Sequence, residues 1–338
     1  MDQNKPFLWH TSLLNLFIVH FKIAISQFSD RSANYMNYRY KYFVYISLLF
    51  LAVVLYHTNF LVVPKIISLP AIFVSFIFLF LGFIIGAVAW KKILKKLNYH
   101  VDLNECLAGT GLSIFGKYIP GKIWIVMGRA AYIAERSDYS LGKLSAISLN
   151  AQFIDLWVGL ILGTIGIFFI GGLHVWGLLT LFMLLGLTAV IFSKVVHNTT
   201  ESILHTVLRK DIKIPNLTIK STILTMPWFT MTWMFWSIGF YIFIVSLTAI
   251  DVPWSVGLGF PLAGTLGIMA LITPGGLGAR EGVMIGYLIF AGIPAIESTT
   301  IAVVSRLWFL LGEIFIFILG WSLHKTSNRA LDKAGCKT

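Results

Sequence analysis

The 338-residue sequence predicts an all-α polytopic membrane protein, on three observations. Hydrophobic residues make up 57% of the chain and charged residues only 12%, more apolar surface than a water-soluble domain can bury. The apolar runs are long and continuous instead of alternating in strands of about ten residues, which favours helices over a barrel. Two of the runs are broken at matching places in the two halves of the chain, at Ile119-Pro120-Gly121-Lys122 and at Thr273-Pro274-Gly275-Gly276-Leu277-Gly278. Paired, interrupted hydrophobic segments point to a substrate site inside the bilayer.

Taken in order, residues 1–41 read as a cytoplasmic or interfacial segment. Residues 7–25 are apolar but carry His10, Asn15, His20 and Lys22, and no small-residue cleavage site follows. A helix lying on the membrane is expected there, with an extra span as the alternative, and not a signal peptide. Residues 42–324 read as one transmembrane domain and 325–338 as a basic cytoplasmic tail. Six full spans are expected at 42–62, 69–90, 143–170, 174–193, 220–250 and 295–323, each near or above the ~20 residues that cross ~30 Å of hydrocarbon. Between them lie the broken units, 104–136 and 254–292. Short arms favour a re-entrant hairpin for the first; the second leaves full crossing open.

The basic residues orient this scheme. With the loop before residue 42 in the cytoplasm, 23 of the 26 Lys and Arg fall on the inner side; Lys65 is outside, and Arg280 and Arg306 lie within the membrane. The net charge of +12 is then topological, with attraction to anionic headgroups as a by-product, and nucleic acid is not an expected partner. The first broken unit opens inward and the second outward, which predicts an inverted repeat.

Charged side chains at mid-membrane depth cost at least ~2.5–3.5 kcal/mol each, so their presence asks for a reason. Asp155 lies well inside the third span; Arg306 and Glu313, seven residues apart, share nearly one face of the last. Arg280 and Glu281 directly follow the second break. Pro274, Gly275 and Gly276 stop one helix, and Gly278 lets the backbone turn before the next begins. The new helix offers free N–H groups to an anion, with Arg280 as a bidentate donor. The same logic covers Pro120 and Gly121 with Lys117, Lys122 and Arg129, although these cations can also snorkel to the interface. Structural ion pairing, for example Asp155 with Arg306, is the alternative use of the carboxylates.

Several chemistries find no support. Gly116 to Lys122 has P-loop spacing, but Ile123 replaces the required Ser or Thr and Pro120 removes an N–H. Cys106 and Cys336 are far apart and fit no metal spacing. No HExxH or GxSxG occurs. No cofactor, metal or enzymatic activity is expected. Trp228, Trp233 and Trp236 read as packing and interfacial residues.

The run from Thr273 to Gly282 resembles the signature of the lysylphosphatidylglycerol synthase transmembrane-region family, a flippase-like domain. Pro120-Gly121 through Arg129 resembles its earlier proline-glycine-arginine motif, with Lys122 where many members carry a second glycine. The resemblance spans about residues 42 to 323. It implies about eight membrane helices that move a polar-headed lipid between leaflets, in a stand-alone member without the aminoacyltransferase domain. It also implies roles in binding for Pro274, Gly275, Gly276, Gly278, Arg280 and Glu281, then Pro120, Gly121 and Arg129.

The expected function is translocation of an anionic or polyprenyl-phosphate-linked lipid across the bacterial inner membrane during envelope assembly. The lipid would be a phospholipid or polyprenyl-phosphate glycolipid, and envelope-biosynthesis enzymes are possible partners. Lys117, Lys122, Arg129, Arg280 and Arg306 would line its path, with Asp155, Glu281 and Glu313 holding them or carrying a proton. The alternatives are transport of a small soluble anion, a membrane enzyme acting on lipid-linked phosphate, or a non-transporting partner in an envelope complex.

Overall fold

The computed structural model describes residues 66–119, 123–193, 219–270, 276 and 278–333. The interfacial segment, the span at 42–62 and the residues Pro120, Gly121, Lys122, Pro274 and Gly275 lie outside them. The described residues form nine α-helices and no strand. They are α1 (Leu69–Lys96), α2 (Leu103–Ser113), α3 (Ile123–Glu135), α4 (Leu141–Gly171), α5 (Val175–Phe192), α6 (Ile219–Leu247), α7 (Gly259–Met269), α8 (Ala279–Phe290) and α9 (Ala295–Lys333). Short 3₁₀ turns, Ile114–Tyr118 and Trp254–Leu258, follow α2 and precede α7.

Local chemistry sets the ends. The Ser68 hydroxyl accepts from the Ala71 N–H to cap α1, and Lys95 and Lys96 sit in its last turn against the helix dipole. Glu105 accepts from the Asp102 N–H at the start of α2. Gly172, at φ 60°, ends α4.

Helices α1, α4, α6 and α9 contain stretches long and apolar enough to cross a membrane, at Leu69–Lys96, Leu141–Gly171, Thr222–Leu247 and Ala295–Asn328. They match four of the expected spans. Helix α5 covers the fifth with 18 residues, about 27 Å at ~1.5 Å per residue. Its exposed Phe182, Leu185 and Trp176 suit contact with lipid. The chain is therefore a multi-pass membrane protein.

The broken units are helix pairs of a different kind. Their arms have 11 and 13 residues in α2 and α3, and 11 and 12 in α7 and α8. At ~1.5 Å per residue these reach only about 16–20 Å, well short of the hydrocarbon layer.

The helices pack as two matching sets, α1–α2–α3–α4 and α6–α7–α8–α9. Helix α1 lies along α6, its partner in the other set. Helix α2 packs on α9 and α7 on α4; α1 also touches α9, as α6 touches α4. Exchanging the two sets leaves these neighbours unchanged. Small residues permit the close crossings. A Cβ at Gly82 of α1 would run into Trp236 of α6, and one at Gly111 of α2 into the Ile316 carbonyl of α9. At Gly163 of α4 it would press on Leu262 of α7.

An aromatic core fills the centre. Trp308 of α9 is 1% exposed; it packs against Phe240, Phe243 and Phe260 and donates its Nε1–H to Ser75 Oγ at 3.2 Å. Trp233 and Trp236 serve packing as well, donating to the backbone carbonyls of Asp155 and Leu79.

Candidate functional site

Helix α9 carries the charges around which the two broken units meet. Its Arg306 donates to Glu281 of α8 at 2.8 Å, both side chains buried. Its Glu313, 1% exposed, forms an ion pair with Lys117 and accepts from the Tyr118 hydroxyl at 2.8 Å. One helix thus ties the 3₁₀ turn before the first break to the first turn after the second. Buried pairs of this kind are weak sources of stability, because desolvation consumes most of the Coulombic gain. Losing one partner is costly.

The second break shows why glycine is needed. Gly276 and Gly278 have φ of 74° and 79°, a region that L side chains avoid. Gly276 also packs on the Gly267 backbone, where a Cβ would come within 2.8 Å of the carbonyl oxygen. Gly278 caps α8, its N–H donating to Glu281 Oε2 at 2.7 Å. Both oxygens of Glu281 are therefore used, one on Arg306 and one on the backbone.

Arg280 is different. Its guanidinium sits 4.9 Å from the ring centroid of Phe260 on α7 and 4.9 Å from that of Phe309 on α9. Its Nη2 is buried with no hydrogen-bond partner among the described residues. The charges it feels are Arg306, Glu281 and Glu313, but both carboxylates are already engaged. Lys117 lies against the same Phe309 ring, 4.8 Å from its centroid. A cation at a helix N-terminus, ringed by aromatic faces and short of acceptors, is equipped to take an anion.

Arg129 and Asp155 form a separate polar group. Arg129 of α3 donates to the hydroxyl of Ser148 on α4 and to its carbonyl at 2.7 Å, and stacks 4.5 Å from the Trp90 ring centroid. Asp155 is the carboxylate whose charge it feels. The side chain of Asp155 accepts a 3.4 Å contact from Gln152. The ion pair weighed as an alternative, Asp155 with Arg306, is not the one present: Arg306 pairs with Glu281 of α8, and the cation that acts on Asp155 is Arg129. Arg129 likewise stands with Ser148, not among the charges around Arg280.

Lys117, Arg280, Glu281, Arg306 and Glu313 are thus brought together, with Gly276 and Gly278 shaping the turn beside them. The sequence reading passed over Tyr118, Phe260, Phe309, Ser148 and Trp90. Phe309 had a signal, lying between Arg306 and Glu313 at helical spacing; Tyr118 adjoins Lys117.

The P-loop spacing has no structural counterpart, since Gly116 to Tyr118 belongs to a 3₁₀ turn that follows a helix. No curated protein and no solved structure matches the chain. The family model described as the lysylphosphatidylglycerol synthase TM region matches residues 42–320. That match contains both broken units and every charge of the Arg280 group, and the chain belongs to the lysylphosphatidylglycerol synthase transmembrane-region family.

Proposed function

We propose that the protein translocates a lipid with an anionic, phosphate-bearing head across the bacterial cytoplasmic membrane during envelope assembly. A phospholipid or a polyprenyl-phosphate-linked lipid fits. The observation that carries this reading is Arg280, a half-buried side chain at the junction of both broken units whose Nη2 is buried and has no partner among the described residues. Membership of a flippase-like family supports it.

An ionised head cannot enter hydrocarbon alone, because an unpaired charge there is prohibitive. Arg280, Lys117 and the first turn of α8 replace its water shell with fixed donors while the tail stays in lipid. The arms of α2–α3 and α7–α8 are too short to cross, which supports reading both units as re-entrant hairpins. With the basic end of α1 on the cytoplasmic side, the first hairpin opens inward and the second outward. The matching neighbours of the two helix sets support an inverted repeat, the architecture of alternating access. An inside-negative potential favours outward movement of an anion by ~2.3 kcal/mol per charge per 100 mV, so an uncoupled flip is energetically sufficient. The protein itself makes and breaks no bond in this scheme, although envelope-biosynthesis enzymes are natural suppliers of its substrate.

The test is reconstitution in liposomes with fluorescent short-chain lipids of different headgroups. Wild type should reorient phosphate-headed anionic lipids, and Arg280→Ala should lose that activity at least tenfold. Uptake of a soluble anion without lipid reorientation would replace this reading with a small-anion transporter. Normal envelope function with Arg280 and Glu281 both replaced by alanine would make the protein a non-transporting partner.

A further inference from the structure

Among the described residues, the charges at the hairpin junction do not cancel. Lys117, Arg280 and Arg306 bring three cations, Glu281 and Glu313 two carboxylates, and Arg280 is the cation left over. Lys117 and Arg280 lie against one ring, Phe309, so an anion beside that ring can draw donors from both. Lys117, however, is the cation bonded to Glu313. Once Lys117 turns to an anion, the Tyr118 hydroxyl is the one hydrogen-bond donor left to Glu313 among the described residues, at a position 1% exposed. A buried carboxylate that loses its counter-ion is costly unless its charge is neutralised.

We propose that a doubly charged, phosphate-type anion bound between Lys117 and Arg280 enters with one proton, which passes from water to the Glu313 carboxylate. This rests on the translocation reading and adds an energy source to it. The described charges of the resting site sum to one positive charge; the anion brings two negative charges, and the proton balances them. Release of the anion restores the Lys117–Glu313 pair and expels the proton, so that movement of the head is coupled to a proton gradient. A singly charged phosphodiester is matched by Arg280 alone and brings no proton.

The groups facing Glu313 are consistent with this exchange. Lys117 and Tyr118 face it from the 3₁₀ turn, Arg280 acts on it from α8, and Arg306 and Glu281 pair beside it. Helix α1 presents Phe83 at Gly312 and Phe80 against Phe315. Helix α2 approaches α9 through Gly111 and the Ile316 carbonyl, and α6 meets it through Phe240 and Phe243 around Trp308.

The experiment is calorimetric titration of the purified full chain in buffers of different ionisation heat, which counts protons per anion bound. Sulfate keeps two charges near neutral pH and dimethyl phosphate one, so neither probe contributes protons of its own. About one proton should enter with sulfate and none with dimethyl phosphate, and sulfate affinity should fall toward tenfold per pH unit on the alkaline side. Glu313→Gln should take up none per sulfate bound, with its fold checked by thermal unfolding. Proton-free sulfate binding by wild type overturns the proposal. So does an unchanged proton count in Glu313→Gln, or a loss that follows Asp155→Asn instead. Undiminished sulfate binding by Arg280→Ala, or none by wild type, removes the translocation reading beneath it. Short-chain phosphatidic acid binding more tightly than sulfate marks the anion as a lipid head; no gain from the acyl chains marks a free anion and contradicts lipid transport.

Discussion

Arg306 reaches Glu281 across 2.8 Å, and this pair fastens the middle of α9 to the first turn of α8. Glu281 spends its other oxygen on the Gly278 N–H, so the pair also holds the turn from which Arg280 projects. Arg306→Ala or Glu281→Ala breaks a buried ion pair from one side and should cost about 3–5 kcal/mol. The double variant should lose clearly less than the sum of the singles, measured by unfolding in detergent; strict additivity would show that the pair is not coupled.

Tyr118→Phe removes one donor from the Glu313 carboxylate and nothing else from its surroundings. A hydrogen bond to a charged group is worth about 1.5–3 kcal/mol, and stability should drop by that order. An unchanged melting transition would mean that Glu313 is held by Lys117 alone.

Two glycines should respond to alanine for different reasons. At Gly278 a Cβ meets nothing within 4 Å, so the cost is the φ of 79°, about 1 kcal/mol or somewhat more. At Gly111 the Cβ collides with the α9 backbone and pushes two helices apart. The larger loss is expected at Gly111, and the reverse order in thermal unfolding would contradict the close crossing of α2 and α9.

Ser148→Ala takes the side-chain acceptor from Arg129 and leaves the carbonyl bond at 2.7 Å. The Ser148 hydroxyl also donates to the Val126 carbonyl, so α3 and α4 lose two links together. Destabilisation of about 1–3 kcal/mol is expected. Sulfate binding at Arg280 should stay within about twofold, because Arg129 stands apart from that group.

The spans were legible in the sequence because a bilayer demands long apolar runs, and α1, α4, α6 and α9 start within two residues of the expected positions, while α1 and α9 continue past the expected ends into polar sequence. The breaks were legible for a related reason: Gly278 occupies a backbone region that other residues avoid. The charges Arg280, Glu281, Arg306 and Glu313 stood out by their cost in lipid. Their pairing did not. Lys117 and Glu313 are 196 positions apart in sequence, and hydropathy carries no information on which helices become neighbours. Asp155 was an equally reasonable partner for Arg306 on charge alone, and the packing of α8 on α9 decided for Glu281. Phe260 and Phe309 escaped notice because aromatic residues are common here, with 27 Phe in the chain, and only geometry distinguishes the two that flank Arg280.

Everything proposed for transport depends on the hairpins opening to opposite sides of the membrane. Single cysteines at Asp138, exposed just after α3, and at Asp251, exposed just before the second hairpin, report this in a background with Cys106 and Cys336 replaced by alanine. Probed with an impermeant thiol reagent in right-side-out and inverted vesicles, position 138 should label only from the cytoplasmic face and position 251 only from the opposite one. Labelling of both positions from a single face would contradict the inverted arrangement and the path for the headgroup built on it.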